Sequence, residues 1–281
     1  MKTMQNLTLS LILLISSQLK AQIIEISKSQ RALVAVVNLS QGNEHSKMEN
    51  NVIFKNEEQN ARHLITKHLN DSYSQVIYLY RNQTTSENFL KAIEQFALNP
   101  EIKAIDVVYY LHGSTEKAKH GGPAIGFYTE EKIYPHAALM SSKLKEISAG
   151  KLRALYSDAC WSSRQNKFWL EAGFLAVAGS KDVDTNMTLD LKRFVKKWSS
   201  GYSFVKSIDF ANKSIFSKMT DRLFHGTSTK MPAGLVDLNI SQMIQLNGLI
   251  LDAAEYEIII ESPVGYHDDE KNQSDDDLLE N

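Results

Sequence analysis

Apolar and polar positions along this chain fall into blocks that switch between a period of two and a period of 3.6. The run Ala32 to Val37 is continuously apolar, as in a strand buried on both faces. Ala61, Leu64, Ile65, His68 and Leu69 then share one helical face within 56–69. Val76 to Tyr80 predicts a second strand. Thr84 with Glu87 forms a capping box ahead of Phe89, Leu90, Ile93, Phe96 and Ala97 at helical spacing, and Asn99-Pro100 stops that helix. Ile105 to Leu111 is the third strand. A hairpin is predicted next, with arms at Ala124 to Tyr128 and Lys132 to Tyr134. His136 to Ile147 reads as a helix ended by Gly150. Leu152 to Tyr156 is the fourth strand, a helix spans Asn166 to Ala172, and Phe174 to Ala178 is the fifth strand. Met187, Leu191, Phe194, Val195 and Trp198 lie on one helical face, and Phe204, Val205, Ile208, Ala211 and Ile215 on another. The stretch 232–260 fits no single element, with Glu257 to Ile260 a candidate edge strand. Alternation of this kind predicts an α/β fold in three layers, α/β/α, with a mainly parallel central sheet.

The two ends depart from this pattern. Met1 to Ala21 reads as a secretory signal peptide: Lys2 supplies the positive start, Leu7 to Ile15 the short apolar core, and Ser16, Ser17 and Ala21 small residues for cleavage after Ala21. The alternative is an uncleaved anchor, although the apolar stretch is short for a bilayer. Residues 22–265 then form a single α/β domain of about 240 residues, enough for a full core. The acid-rich segment 266–281 predicts a disordered tail.

With 31 Lys and Arg against 33 Asp and Glu, the charge balance gives no footprint for nucleic acid or for an anionic membrane surface. Once the leader is removed, no membrane association is expected. The export reading places the protein in a periplasm or outside the cell, an oxidising compartment where cysteines usually pair. Yet Cys160 is the only cysteine. It is either a small buried hydrophobe or a thiol kept for reactivity.

Its position favours reactivity. The third strand runs into His112-Gly113, and the fourth runs into Ser157-Asp158-Ala159-Cys160. Ligands of open parallel sheets gather outside the carboxyl ends of the strands, where both motifs sit. The thiolate is the nucleophile, and a nearby imidazole lowers the thiol's pKa and later protonates the leaving amine. Gly113 leaves room beside the base, and its N–H together with that of Cys160 is a candidate oxyanion hole. Read alone, His112 is a structural histidine at a strand end. His120-Gly121-Gly122 is a rival His-Gly, but it follows no apolar run and reads as a mobile loop beside the site. Asp158 either caps the turn after the fourth strand or binds substrate.

The order strand, His-Gly, strand, Asp-Ala-Cys resembles the caspase-like superfamily of cysteine peptidases, which includes caspases, metacaspases, legumains and gingipains. The resemblance implies that His112 and Cys160 are a catalytic dyad. It also implies that Asp158, two residues before the nucleophile, shapes the pocket for the substrate side chain N-terminal to the cut. Caspases have Gln at that position and cut after Asp; metacaspases have Asp and cut after Arg or Lys. The resemblance therefore leans towards metacaspases and basic substrates. Metacaspases often carry a later stretch like Ser-Gly-Cys-x-Asp-x-Gln-Thr, and this chain has Ala178-Gly179-Ser180-Lys181-Asp182-Val183-Asp184-Thr185. Asp182 in that stretch is either a turn residue or a second acid of the substrate pocket. The resemblance spans Ala32 to Thr185.

The chain also departs from the pattern. Trp161-Ser162-Ser163 stands where metacaspases have His-Ser-Gly, which makes the loop bulkier and stiffer, and no acidic cluster soon after Cys160 matches the calcium site of some metacaspases. No metal-ligand spacing, GxSxG, Walker A or GxGxxG motif is present, so neither cofactor nor metal is expected. The sequence thus predicts an exported cysteine endopeptidase acting on peptide or protein substrates. The rivals are a non-catalytic relative of the same fold and an exported α/β ligand-binding module.

Overall fold

The structure, a computed structural model, describes residues 21–39, 52–118, 122–129, 135–182, 188–213 and 229–246. The predicted leader (1–21) apart from Ala21, the hairpin arm at 132–134, the strand at 257–260, the tail at 266–281 and the loop at His120 and Gly121 lie outside them. In chain order the elements are β1 (Ala21–Glu25), β2 (Arg31–Asn38), α1 (Val52–Leu69), β3 (Gln75–Tyr80), α2 (Ser86–Leu98), β4 (Ala104–Leu111), β5 (Gly113–Ala118), β6 (Gly122–Ile125), α3 (Ala137–Ile147), β7 (Leu152–Ser157), α4 (Asn166–Glu171), β8 (Ala176–Ser180), α5 (Thr188–Ser199), α6 (Phe204–Asn212), β9 (Lys230–Gly234) and β10 (Gln242–Leu246).

The central sheet has six strands in the order β3-β2-β4-β7-β8-β9. Every pairing is parallel except the last, where β9 runs antiparallel to β8. The strands alternate faces with period two. Ala32, Val34 and Val36 of β2 join Ile105, Val107, Tyr109 and Leu111 of β4 in the core beneath α2, α3 and α4. Leu33, Ala35 and Val37 join Val108 and Tyr110 on the opposite face, beneath α1, α5 and α6. This is the expected three-layer α/β/α architecture. The chain steps outward from β2 to β3, then crosses back to place β4 on the other side of β2. The C-terminal ends of β2 and β4 therefore flank a topological switch point, the usual ligand crevice of such sheets.

Several local expectations shift. Thr84 is not the cap of α2. Its side chain is buried between Asn38 Nδ2 and the Arg81 carbonyl, and Thr85 accepts from Asn88 N instead. The apolar run at 174–178 enters its strand late. Phe174 closes the turn after α4 through Trp169 O, so β8 starts at Ala176. A hairpin that the sequence did not predict joins β5 to β6 beside the site, while Ala124 bridges His136 in antiparallel sense and Ile125 N donates to Pro135 O, next to the predicted arm at 132–134. The polar make-up of Gly113–Ala118 hid its strand character. A further ribbon pairs β1 with β10.

One network of buried charge lies near the strand starts, away from the switch point. Asp106, near the start of β4, accepts from Arg153 Nε at 2.8 Å, from Arg153 Nη2, from Ala154 N at 3.1 Å and from the Tyr73 hydroxyl at 2.5 Å. Trp198 Nε1 donates to the same hydroxyl. Arg153 and Arg31 both donate to the carbonyl of Ile240, which ties the C-terminal segment to the sheet. Burial, and then the Asp106 carboxylate, hold the Tyr73 phenol well above its ordinary pKa, so it stays a donor. A pair this deep is costly to break because the surviving charge has no water to turn to. Asp106→Asn should destabilise the protein by about 3–5 kcal/mol in urea unfolding, while folded Asp106→Asn protein should alkylate Cys160 at the wild-type rate.

Candidate active site

Register delivers the site. Asn38 of β2 stands opposite Leu111 of β4, and Tyr109 of β4 opposite Ser157 of β7. Leu39, His112 and the Asp158–Cys160 turn therefore emerge together at the C-terminal edge of three adjacent strands. The pairing continues one step past β7, where Asp158 N donates to Tyr109 O at 2.8 Å.

His112 is half-buried, and two contacts fix its ring. Nε2 lies 2.8 Å from the carbonyl oxygen of Leu39. A carbonyl only accepts, so Nε2 carries the proton and Nδ1 is the basic nitrogen of the neutral ring. Phe54 of α1 packs against the imidazole edge-on, with ring centroids 5.6 Å apart.

Cys160 is half-buried and, as the only cysteine, forms no disulfide within the chain. The chain of Gly113 passes so close to it that a Cβ on Gly113 would stand 1.9 Å from the Cys160 carbonyl oxygen. The sequence reads Gly113 as leaving room beside the base; in the structure the Cys160 carbonyl occupies that room, so the residue following His112 lies against the backbone of Cys160.

The turn carrying Cys160 is anchored from several sides. Trp161 adopts a left-handed backbone, φ 51°, directly after the cysteine. A bulky residue is rare in that conformation and strained by about 1–2 kcal/mol. Trp161 N donates to the carbonyl of Asp182, and the Ser162 hydroxyl bridges Ala159 O and Ser180 N. A Cβ on Gly179 would stand 2.4 Å from the Ser162 carbonyl carbon, so β8 needs a glycine where the turn crosses it. Asp182, expected to be a turn residue or a pocket acid, thus holds the turn through its backbone.

Asp158 is where sequence reasoning missed a partner. Its side chain is buried and lies 2.5 Å from Nζ of Lys230, itself buried at the start of β9. Lys230 is fixed in turn by Asn212, which accepts from its N–H and donates to its carbonyl. Asp158, read from the sequence as a turn cap or a substrate contact, forms a buried ion pair between the Cys160 turn and the last strand of the sheet. No sequence signal linked these two residues across so long a separation. The same holds for Leu39, whose part is played by a backbone carbonyl that any residue would offer.

Among the described residues no group of acids, histidines or cysteine is arranged to hold a metal, and no helix is long and apolar enough to cross a membrane.

No protein-family model and no curated protein matches the chain. Solved structures do. The initiator caspase Dronc of Drosophila is 10% identical with a TM-score of 0.46, over 76% of this chain and 83% of that one. Caspase-1 from Spodoptera frugiperda is 10% identical with a TM-score of 0.43, over 75% and 89%. Protein GSU0716 from Geobacter sulfurreducens is 11% identical with a TM-score of 0.42, over 73% and 94%. The likeness is one of architecture alone, and the chemistry of this chain lies in the geometry above.

Gly113→Ala should disrupt the site without emptying the core. The added methyl must push the Cys160 carbonyl away, so the iodoacetamide rate at pH 6 should fall by about tenfold or more while circular dichroism stays native.

Proposed function

We propose that this chain is an exported cysteine endopeptidase of caspase-like architecture, with Cys160 as nucleophile and His112 as base and then acid. The observation that carries this reading is the pose of His112. Its Nε2–H is committed to Leu39 O at 2.8 Å, and its chain neighbour Gly113 packs on the backbone of Cys160.

In this scheme Nδ1 takes the thiol proton and the Cys160 sulfur attacks the scissile carbonyl carbon. The N–H groups of Gly113 and Cys160 receive the resulting oxyanion. When the intermediate collapses, the C–N bond breaks and the imidazolium gives its proton to the leaving amine. Water, deprotonated by the same ring, then hydrolyses the thioester and regenerates the thiol. The bond from Leu39 keeps the ring in the tautomer that every step needs.

Cys160→Ala and His112→Ala should each abolish hydrolysis of fluorogenic peptides without unfolding the protein, and the double variant should lose no more than either one. Near-full activity in folded His112→Ala would remove the dyad. The peptides should differ at the residue before the cut. Cleavage after Arg or Lys, as the metacaspase resemblance implies, requires that cation to displace Lys230 from Asp158, so a strong basic preference would mean that this pair opens. No hydrolysis at all, with slow alkylation at pH 6, would favour the non-catalytic relative or the ligand-binding module.

Export rests on the pattern of the first 21 residues alone. Cleavage after Ala21 would fall within β1, removing the Ala21–Leu246 pair and keeping Gln22 to Glu25 along β10. Mass spectrometry of the protein secreted or released from a periplasm should find Gln22 as the first residue; an intact Met1 would overturn the leader assignment.

A further inference from the structure

The imidazole of His112 is held by Leu39, and Leu39 is itself held. Its backbone N–H donates to Oε1 of Glu58 at 2.7 Å. Glu58 lies on α1 and is fully buried. Its second oxygen is engaged from the end of β3, by the Tyr80 hydroxyl at 3.3 Å and Arg81 Nε at 3.4 Å. Burial, and then the Glu58 carboxylate, push the Tyr80 phenol up, which keeps it a donor. One turn earlier on the same helix, Phe54 packs edge-on against the His112 ring. A single face of α1 therefore bounds the imidazole directly and secures the backbone it leans on.

A buried carboxylate is an expensive way to secure one loop residue, since a leucine at this position of α1 would pack at no electrostatic cost. What the carboxylate adds is direction. A charge-assisted bond to the Leu39 N–H fixes the residue whose carbonyl orients His112. Leu39 lies one residue past β2, whose pairing with β4 runs to Asn38 and Leu111.

We infer that Glu58 is a positioning residue for the thiol–imidazole pair, acting on His112 through the backbone of Leu39. The inference rests on the dyad reading above and names a residue that the sequence motifs do not include. Glu58 touches no reacting atom. Without it Leu39 loses its anchor, the ring loses a fixed partner for Nε2–H, and the Cys160 thiolate loses part of its stabilisation.

The test is the pH dependence of Cys160 alkylation by iodoacetamide, from pH 5 to 9, on the full chain with thermal midpoints recorded. Charged groups facing the site are Arg81 with Glu58, and the Asp158–Lys230 pair beneath the nucleophile turn. Glu58→Met fills the volume and removes the acceptor. It should move the titration of Cys160 up towards the free-thiol value of about 8.5 and slow alkylation at pH 6 by about tenfold or more, with little change at pH 9. Glu58→Gln keeps an acceptor oxygen for the Leu39 N–H and should stay within about threefold of wild type at pH 6. If Glu58→Met does not fold, Glu58→Asp, whose carboxylate is too short to reach Leu39 from the same backbone, should show the upward shift. A residue that only supports the fold would lower the thermal midpoint and leave the profile alone. A wild-type profile in folded Glu58→Met or Glu58→Asp overturns the inference, as does an equal shift in Glu58→Gln, which would assign the effect to charge. His112→Ala separates the two levels. If it moves the profile and Glu58→Met does not, Glu58 alone is misassigned; if His112→Ala leaves the profile unchanged, the dyad itself falls.

Discussion

The parallel register of β2, β4 and β7 is the constraint on which everything at the site depends. It fixes three chain ends at one level, so that Leu39, His112 and the turn holding Cys160 arrive side by side. A slip of one residue in any of these strands would turn its inward side chains to the opposite layer. Both faces of β2 and β4 are buried, so both cores resist such a slip. The hydrophobic layers thereby specify a polar constellation, which they also touch through Leu39 and Phe54.

Polar groups divide the sheet into two ends with different tasks. Near the strand starts, Asp106, Arg153, Tyr73 and Trp198 form a network in which the carboxylate meets several donors at once. It bonds the C-terminal segment to the sheet through Ile240. At the strand ends the carboxylates of Glu58 and Asp158 are paired as well, with Arg81 and Lys230, around a half-exposed thiol. The rigid end holds the register, and the open end uses it.

The fold was largely legible in the sequence because fully buried parallel strands are continuous apolar runs. Ala32 to Val37 and Ile105 to Leu111 were readable for that reason. Failures came where local pattern and tertiary context part. Thr84 has the composition of a cap, but its hydroxyl is claimed by Asn38, a residue far earlier in the chain. The polar segment Gly113–Ala118 looks like a loop and pairs as a strand. At the site, His112 and Cys160 announced themselves by following strands. Their supports did not: Leu39 contributes a carbonyl, Glu58 reads as one more polar residue on α1, and Lys230 opens a short strand with no motif of its own. Partners of buried charges are set by three-dimensional proximity, which spacing does not encode.

The ion pair between Asp158 and Lys230 also imposes an order in time. A chain made from its N-terminus has His112 and Cys160 in hand long before it has β9. Until β9 docks, Asp158 has no Lys230 to face, and the turn bearing the thiol lacks the strand that closes over it. The candidate site is thus complete only after most of the domain has been synthesised. A nascent or truncated chain carries His112 and Cys160 without the ion pair that ties the Cys160 turn to the last strand of the sheet.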